Sequence, residues 1–150
     1  MSQRDQAQLL AMRLHTLTDG GGRPLGDTFS LRLARMPQAV ALVRHELRRW
    51  LDEHGASTED AVDITLACSE ACANAVEHPD RPGRPAFEVK AWREGDELVL
   101  AVRDFGAWTD PSSAGTRGRG LSMIRALVDV VEITSGGEGT RILMRRTLRP

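Results

Sequence analysis

The spacing of hydrophobic and polar residues predicts secondary structure in the first half of the chain. Residues 28–33 alternate with period two, which predicts a half-buried strand. Across residues 37–54 apolar side chains recur at steps of three and four, which predicts an amphipathic helix. A second helix is expected to begin at a cap formed by Ser57 or Thr58 and to run to about His78.

The second half of the chain predicts two hairpins with a helix between them. The strands are expected at residues 86–92 and 97–103, then at 130–134 and 140–147, with the helix at 118–128. Paired strands combined with helices favour an α+β fold. We therefore predict a two-layer α/β sandwich whose mixed, mostly antiparallel sheet carries its helices on one face.

Composition supports a single globular domain. Of the 150 residues 41% are hydrophobic and 27% are charged, which is an ordinary balance for a folded chain. Residues 1–26 are expected to be an N-terminal extension, with a loosely patterned helix at 3–17 and a linker at Gly20, Gly21 and Gly22. Residues 27–150 are expected to form the domain.

Charge and hydropathy exclude several classes of protein. The formal net charge of −1 argues against direct nucleic-acid binding, which usually needs a basic excess. No apolar run approaches the roughly 20 residues needed to cross a bilayer, and the N-terminus has no signal-peptide pattern. Lys90 is the only lysine and has no glycine-rich loop around it, so the chain is not a P-loop NTPase. We expect a cytoplasmic protein without membrane contact.

The second predicted helix carries apolar residues around most of its circumference, so it is expected to be largely buried. Cys68 and Cys72 lie one turn apart within it and are expected to be small core residues rather than metal ligands. The helix also has one narrow polar stripe, which on its own pattern would simply face solvent. The stripe consists of Asp63, Glu70, Asn74, Glu77 and His78.

Three glycine-containing motifs follow this helix. Asp104-Phe105-Gly106 ends a strand, where a carboxylate can accept a hydrogen bond from the exocyclic amine of a base. Gly118-Arg119-Gly120-Leu121 opens a helix, where glycines allow backbone N–H groups to approach a phosphate. Gly139-Thr140 begins the last strand. Each motif alone is also compatible with ordinary turn chemistry.

Taken in order, these motifs resemble those of the Bergerat-fold, or GHKL, ATPases, which include gyrase, Hsp90, histidine kinases and MutL. Within that group the chain is most similar to the RsbW-type anti-sigma factor serine kinases. The segment from Asp104 to Trp108 matches the Asp-x-Gly-x-Trp motif of one branch of them. The resemblance covers about residues 27–148 and implies the histidine-kinase-like ATPase fold.

For catalysis, the resemblance implies that ATP and Mg²⁺ bind next to the polar stripe. Asn74 would offer its side-chain oxygen to Mg²⁺, which prefers hard oxygen ligands. Glu70, one turn earlier, would act as general base on an attacking hydroxyl.

For the nucleotide, the resemblance implies contacts from the three glycine motifs. Asp104 would accept a hydrogen bond from the adenine amine, Gly106 would leave room for the base, and Thr140 would support the adenine pocket. The residues expected to approach the phosphates are Gly118, Gly120 and Leu121.

Two functions from different classes are compatible with these residues. The first is an ATP-dependent protein serine kinase that phosphorylates a STAS-domain anti-sigma factor antagonist and sequesters a sigma factor, with a homodimer as a plausible assembly. The second is a non-catalytic, nucleotide-responsive binding module. A third interpretation makes the chain a fragment of a larger phosphatase–kinase regulator, with residues 1–26 as the tail of a preceding domain.

Overall fold

The computed structural model describes residues 28–77, 83–106, 117–136 and 139–149. Within these ranges the chain forms five strands and three helices. The helix expected at residues 3–17 and the linker at 20–22 lie outside the described residues, as do His78 and Trp108.

Every element predicted beyond residue 27 is confirmed; β2 extends further at both ends than its alternating apolar residues indicated, and β3 extends further at its C-terminal end. In chain order the elements are β1 (Thr28–Ala34), α1 (Pro37–Glu53), α2 (Thr58–Val76), β2 (Gly83–Glu94), β3 (Glu97–Gly106), α3 (Arg117–Leu127), β4 (Val130–Gly136) and β5 (Gly139–Thr147). None of the described helices is long and apolar enough to cross a membrane.

The sheet has the strand order β1-β2-β3-β5-β4, and every described pairing in it is antiparallel. Leu31 lies opposite Val89, Val89 opposite Val102, and Val102 opposite Ile142, so one apolar row crosses four strands. Directly opposed residues point to the same face of a sheet. This register therefore collects the apolar residues of β1, β2, β3 and β5 on a single face.

The helices cover that apolar face and form the main core with it. The largest fully buried side chains of this core are Phe87, Leu33, Leu47, Leu51, Ile64, Leu100, Ile124, Met144, Val43, Val89 and Val102. The opposite face carries a small separate cluster of Val99, Ala101 and Leu143, against which Trp92 packs. The predicted α+β sandwich with helices on one face is thus confirmed.

Helix α2 is less completely buried than its composition indicated. The side chains of Val62 and Leu66 are 46% and 40% exposed, because they lie on the outer side of the helix layer. The buried side is built mainly from small residues, which allow α2 to pack closely against its neighbours. Its buried residues are Asp60, Ala61, Ile64, Ala67, Cys68, Ser69, Ala71, Cys72 and Ala75.

The first turn of α2 joins a capping interaction to a buried ion pair. Ser57 caps the helix, since its hydroxyl oxygen accepts a hydrogen bond from the Asp60 N–H at 3.1 Å. The Asp60 carboxylate is completely buried and accepts hydrogen bonds from Nε and Nη2 of Arg146 at 3.2 and 2.8 Å. Its second oxygen accepts from the backbone N–H of Arg149 at 2.8 Å. Strand β5 is thereby fastened to the start of α2.

These partners keep Asp60 ionised. Burial alone would raise the pKa of its carboxyl, but the hydrogen bonds from Arg149, Arg146 and Ser57 outweigh burial and lower it. A carboxyl whose pKa is lower in the folded state than in the unfolded state stabilises the fold at high pH. The contribution is present above the unfolded pKa and disappears as the pH falls through the folded pKa.

Ser57→Ala removes the cap of α2. We expect the free energy of unfolding to fall by about 1 kcal/mol, because the Asp60 N–H loses its acceptor. Urea unfolding followed by circular dichroism measures this change. Thr58→Ala is the matched control, since Thr58 is exposed and is the first residue of the helix. Equal effects of the two substitutions would contradict the capping role.

Asp60→Asn tests the charge of the buried pair. We expect the variant to be less stable than the unsubstituted protein at neutral pH, with the difference shrinking as the pH falls below about 4. The measurement is the free energy of unfolding as a function of pH. Asp52→Asn is the control, because Asp52 pairs with Arg48 on the exposed surface of α1. A stability difference independent of pH would show that the ionised carboxylate is not what stabilises the fold.

Candidate functional site

Helices α2 and α3 meet where the predicted phosphate-binding glycine faces the polar stripe. A Cβ built on Gly120 would lie 3.3 Å from Nδ2 of Asn74, 3.4 Å from its Oδ1 and 3.7 Å from Oε2 of Glu70. The fold therefore brings together Glu70, Asn74 and Gly120, which are separated by up to 50 positions in the sequence. Because glycine has no side chain, the backbone of α3 can approach both polar groups closely.

The polar stripe of α2 does not face solvent along its whole length. Asp63 pairs with Arg146 at 2.8 Å, and Glu70 and Asn74 are only half-exposed beside α3. Glu77, at the end of the helix, is exposed. The described stripe is therefore only partly solvent-facing, since two neighbouring elements cover parts of it.

Asp104 and Thr140 form a second group of candidate residues. They lie directly opposite each other on β3 and β5, so their side chains share the face of the sheet that bears the helices. Asp104 is only 6% exposed. Among the described residues Thr140 Oγ1 has no hydrogen-bond partner although the atom is buried. A buried carboxylate next to an unsatisfied hydroxyl suits a ligand that has both donor and acceptor groups, as adenine does.

Gly139 shapes this second group, and the sequence analysis did not include it among the site residues. Its φ of +123° is one that other residues rarely adopt. A Cβ at this position would overlap the carbonyl oxygen of Asp104 and would lie 2.9 Å from Cα of Phe105. The signal available in the sequence was its place directly before Thr140, which ordinary hairpin chemistry also explains.

Phe105 separates Asp104 from Gly106 and points to the opposite face of the sheet. The guanidinium carbons of Arg32 and Arg103 lie 4.9 and 4.8 Å from the centre of its ring. These distances are within the range of cation–π attraction. The end of β3 that carries Asp104, Phe105 and Gly106 is therefore held on both faces of the sheet, by core packing on one face and by two arginines on the other.

The remaining candidates occupy the expected elements. Gly106 is the last residue of β3, and Gly118 is the second residue of α3. Leu121 is half-buried and packs against the main core, so it anchors the first turn of α3. All candidates thus lie on α2, on α3, or at the adjoining ends of β3 and β5.

The cysteines are core residues, as predicted. Cys68 and Cys72 are buried and free, with their sulfur atoms 3.9 Å apart. Burial, together with the neighbouring Cys68, raises the pKa of the Cys72 thiol, which favours its protonated form. The described ranges contain no cluster of three or more metal-ligating side chains. A single amide oxygen such as that of Asn74 remains suitable for Mg²⁺, which takes its other ligands from phosphates and water.

Gly139→Ala tests the close approach of β5 to Asp104. An unfavourable backbone conformation alone costs roughly 1–2 kcal/mol. We expect the loss of stability to be well above that, because the new methyl group would overlap the Asp104 carbonyl. Chemical denaturation measures the loss. Gly95→Ala is the matched control, since Gly95 also has a positive φ but has no atom near its Cβ position. Equal losses would show that backbone conformation, and not the contact, requires glycine at position 139.

Comparison with known proteins identifies the family of this chain. The histidine kinase-like ATPase domain family matches residues 33–146. The serine-protein kinases RsbW of Bacillus velezensis and Bacillus subtilis are 26% and 25% identical to this chain over 141 residues, covering 81% of this chain and 86% of each relative.

A solved structure is also similar. The RsbU and RsbW domains of a Mycobacterium tuberculosis protein superpose with a TM-score of 0.67 and 34% sequence identity. The match covers 82% of this chain, which spans only 33% of that longer chain. The resemblance to RsbW-type GHKL proteins is confirmed, and this chain belongs to the histidine kinase-like ATPase domain family.

Proposed function

We propose that this protein is an ATP-dependent protein serine kinase that phosphorylates a STAS-domain anti-sigma factor antagonist and sequesters a sigma factor. The observation that supports the proposal is the closeness of Gly120 to Asn74 and Glu70, whose polar atoms lie 3.3–3.7 Å from the position of a Cβ on Gly120. A glycine of the phosphate motif, a candidate magnesium ligand and a candidate general base would therefore act together. The similarity to serine-protein kinases named RsbW supports the kinase assignment.

The nucleotide would lie between the two groups of candidate residues. Asp104 and Thr140 would hold the adenine, since Asp104 offers a buried carboxylate. Thr140 offers a buried hydroxyl oxygen that has no hydrogen-bond partner among the described residues. The backbone of Gly118 and Gly120 would donate hydrogen bonds to the phosphates at the positive end of α3. This arrangement would direct the terminal phosphate towards Glu70 and Asn74.

Glu70 would then act on the hydroxyl of the substrate serine. Its carboxylate would take the hydroxyl proton while the serine oxygen forms a bond to the γ-phosphorus and the bond to the bridging oxygen of ADP breaks. Asn74 would hold Mg²⁺, which when bound neutralises charge on the phosphates. Most of the rate enhancement would come from positioning and charge neutralisation, as in other phosphoryl transfers.

The partners and location complete the proposal. The substrate would be a serine on a small STAS-domain antagonist, and the sigma factor would be the alternative binding partner that this protein sequesters. A homodimer and a cytoplasmic location fit the same regulatory role.

Glu70→Gln tests the proposed chemistry. The amide keeps the size of the carboxylate but cannot accept the proton, so we expect Mg-ATP binding to persist while phosphotransfer falls by about 100-fold or more. Calorimetry measures binding, and transfer of labelled phosphate from ATP to a STAS-domain protein encoded in the same genome measures activity. Glu77→Gln is the control, because Glu77 lies on the same stripe but is exposed.

Two further variants separate binding from chemistry. Asn74→Ala should remove the magnesium dependence of ATP binding, and Asp104→Asn should weaken the binding of both ATP and ADP. Unchanged phosphotransfer by Glu70→Gln would exclude Glu70 as the base. Absence of nucleotide binding by the folded, unsubstituted protein would overturn the kinase proposal and favour a binding module that has kept only the scaffold.

A further inference from the structure

Arg146, on β5, contacts both α2 and α3 through one guanidinium group. Its Nε and Nη2 donate to the buried carboxylate of Asp60, and its Nη1 donates to Asp63 at 2.8 Å and to the backbone carbonyl of Leu127 at 2.6 Å. Asp60 and Asp63 lie in the first two turns of α2, and Leu127 is the last residue of α3. Nη1 is therefore the atom through which β5 holds α2 and α3 together.

These contacts fix the end of α3 that is remote from the candidate phosphate site. Through Arg146, the start of α2 lies next to the end of α3. Near the other end of α2, Asn74 lies next to Gly120 in the first turn of α3. The two helices are therefore antiparallel. Beyond α3, the N–H of Asp129 donates to the carbonyl of Arg145, and the N–H of Thr147 donates to the Asp129 carboxylate. The last residue of α3 and the short connection that follows it are thus bound to β5 by hydrogen bonds.

The opposite end of α3 meets α2 through the Gly120 contact and carries the glycines assigned to the phosphates. A helix is stiff over the 11 residues of α3, so a shift at its last turn moves its first turn as well. A change in how Arg146 holds Leu127 would therefore alter the distance between Gly120 and the Glu70–Asn74 pair. Asp104 and Thr140 lie on the sheet, where β3 and β5 pair directly with each other.

We propose that Arg146 is a positioning residue that sets the phosphate-binding end of α3 against Glu70 and Asn74. The proposal rests on the function proposed above and adds a residue that touches neither nucleotide nor substrate. Its consequence is selective, because losing the Nη1 contacts weakens recognition of the phosphates while recognition of adenosine is preserved. A residue that served only to stabilise the fold would affect both parts of the nucleotide equally.

The test compares ATP with adenosine in Arg146→Lys. Lysine keeps the positive charge next to Asp60, but its single ammonium group cannot reproduce the planar set of contacts to Asp60, Asp63 and Leu127. We expect the dissociation constant for ATP to rise by about tenfold. The constant for adenosine, measured by chemical-shift titration, should change by less than about twofold.

Two other variants complete the experiment. Arg145→Lys is the matched control, because Arg145 is the neighbouring residue on the opposite face of β5 and pairs with Glu94 on the surface. We expect this control to change neither the dissociation constant for ATP nor that for adenosine. Asp63→Asn alters a partly exposed partner of the same Nη1 atom without leaving a buried charge unpaired, so it tests the proposal even if Arg146→Lys does not fold. We expect it to lower ATP affinity in the same selective way.

The outcomes distinguish this proposal from the one on which it rests. Equal loss of affinity for ATP and adenosine in the folded variants, or no loss for ATP, would overturn the positioning role and leave the kinase proposal standing. Failure of the unsubstituted protein to bind ATP would overturn both. A selective loss for ATP confirms that Arg146 acts through the position of α3.

Discussion

The buried ion pair between Arg146 and Asp60 is the interaction on which the arrangement of the helices depends. It fastens the core-facing side of β5 to the first turn of α2, and the same guanidinium reaches the last carbonyl of α3. Removing one partner of a buried pair usually costs about 3–5 kcal/mol, because the other charge is left without compensation. Here the charges are tolerated because both Asp60 oxygens and all three guanidinium nitrogens of Arg146 have described partners.

With α2 and α3 held at that end, the candidate site depends on close approach between backbone and polar groups. Gly120 allows α3 to reach Asn74, and Gly139 allows β5 to reach the backbone of Asp104. The small residues on the buried side of α2 serve the same purpose, because they bring the helix near its neighbours. In both parts of the site, the missing side chain of a glycine permits the geometry that a nucleotide would need.

The polar stripe of α2 shows how one sequence pattern is divided among different tasks. Asp63 takes part in the Arg146 network, Glu70 and Asn74 face Gly120, and Glu77 remains exposed at the end of the helix. The spacing that places these residues on one side of the helix is common to all of them. Their roles differ because α3 and β5 each cover a different part of that side.

The sequence by itself determined the elements from β1 to β5 and the α+β class, because periodicity and helix capping act over a few residues. The motif order also indicated the family and the candidate residues, including Asn74 and Asp104. Only the tertiary structure decided that Asp60 would pair with Arg146, 86 positions away, and that Gly139 would lie against Asp104. Such contacts depend on strand register and helix packing, which bring distant residues together and leave little or no signal in the local pattern. A charged residue at the core-facing position after Ile142 and Met144 was the one sign of Arg146 that the sequence offered.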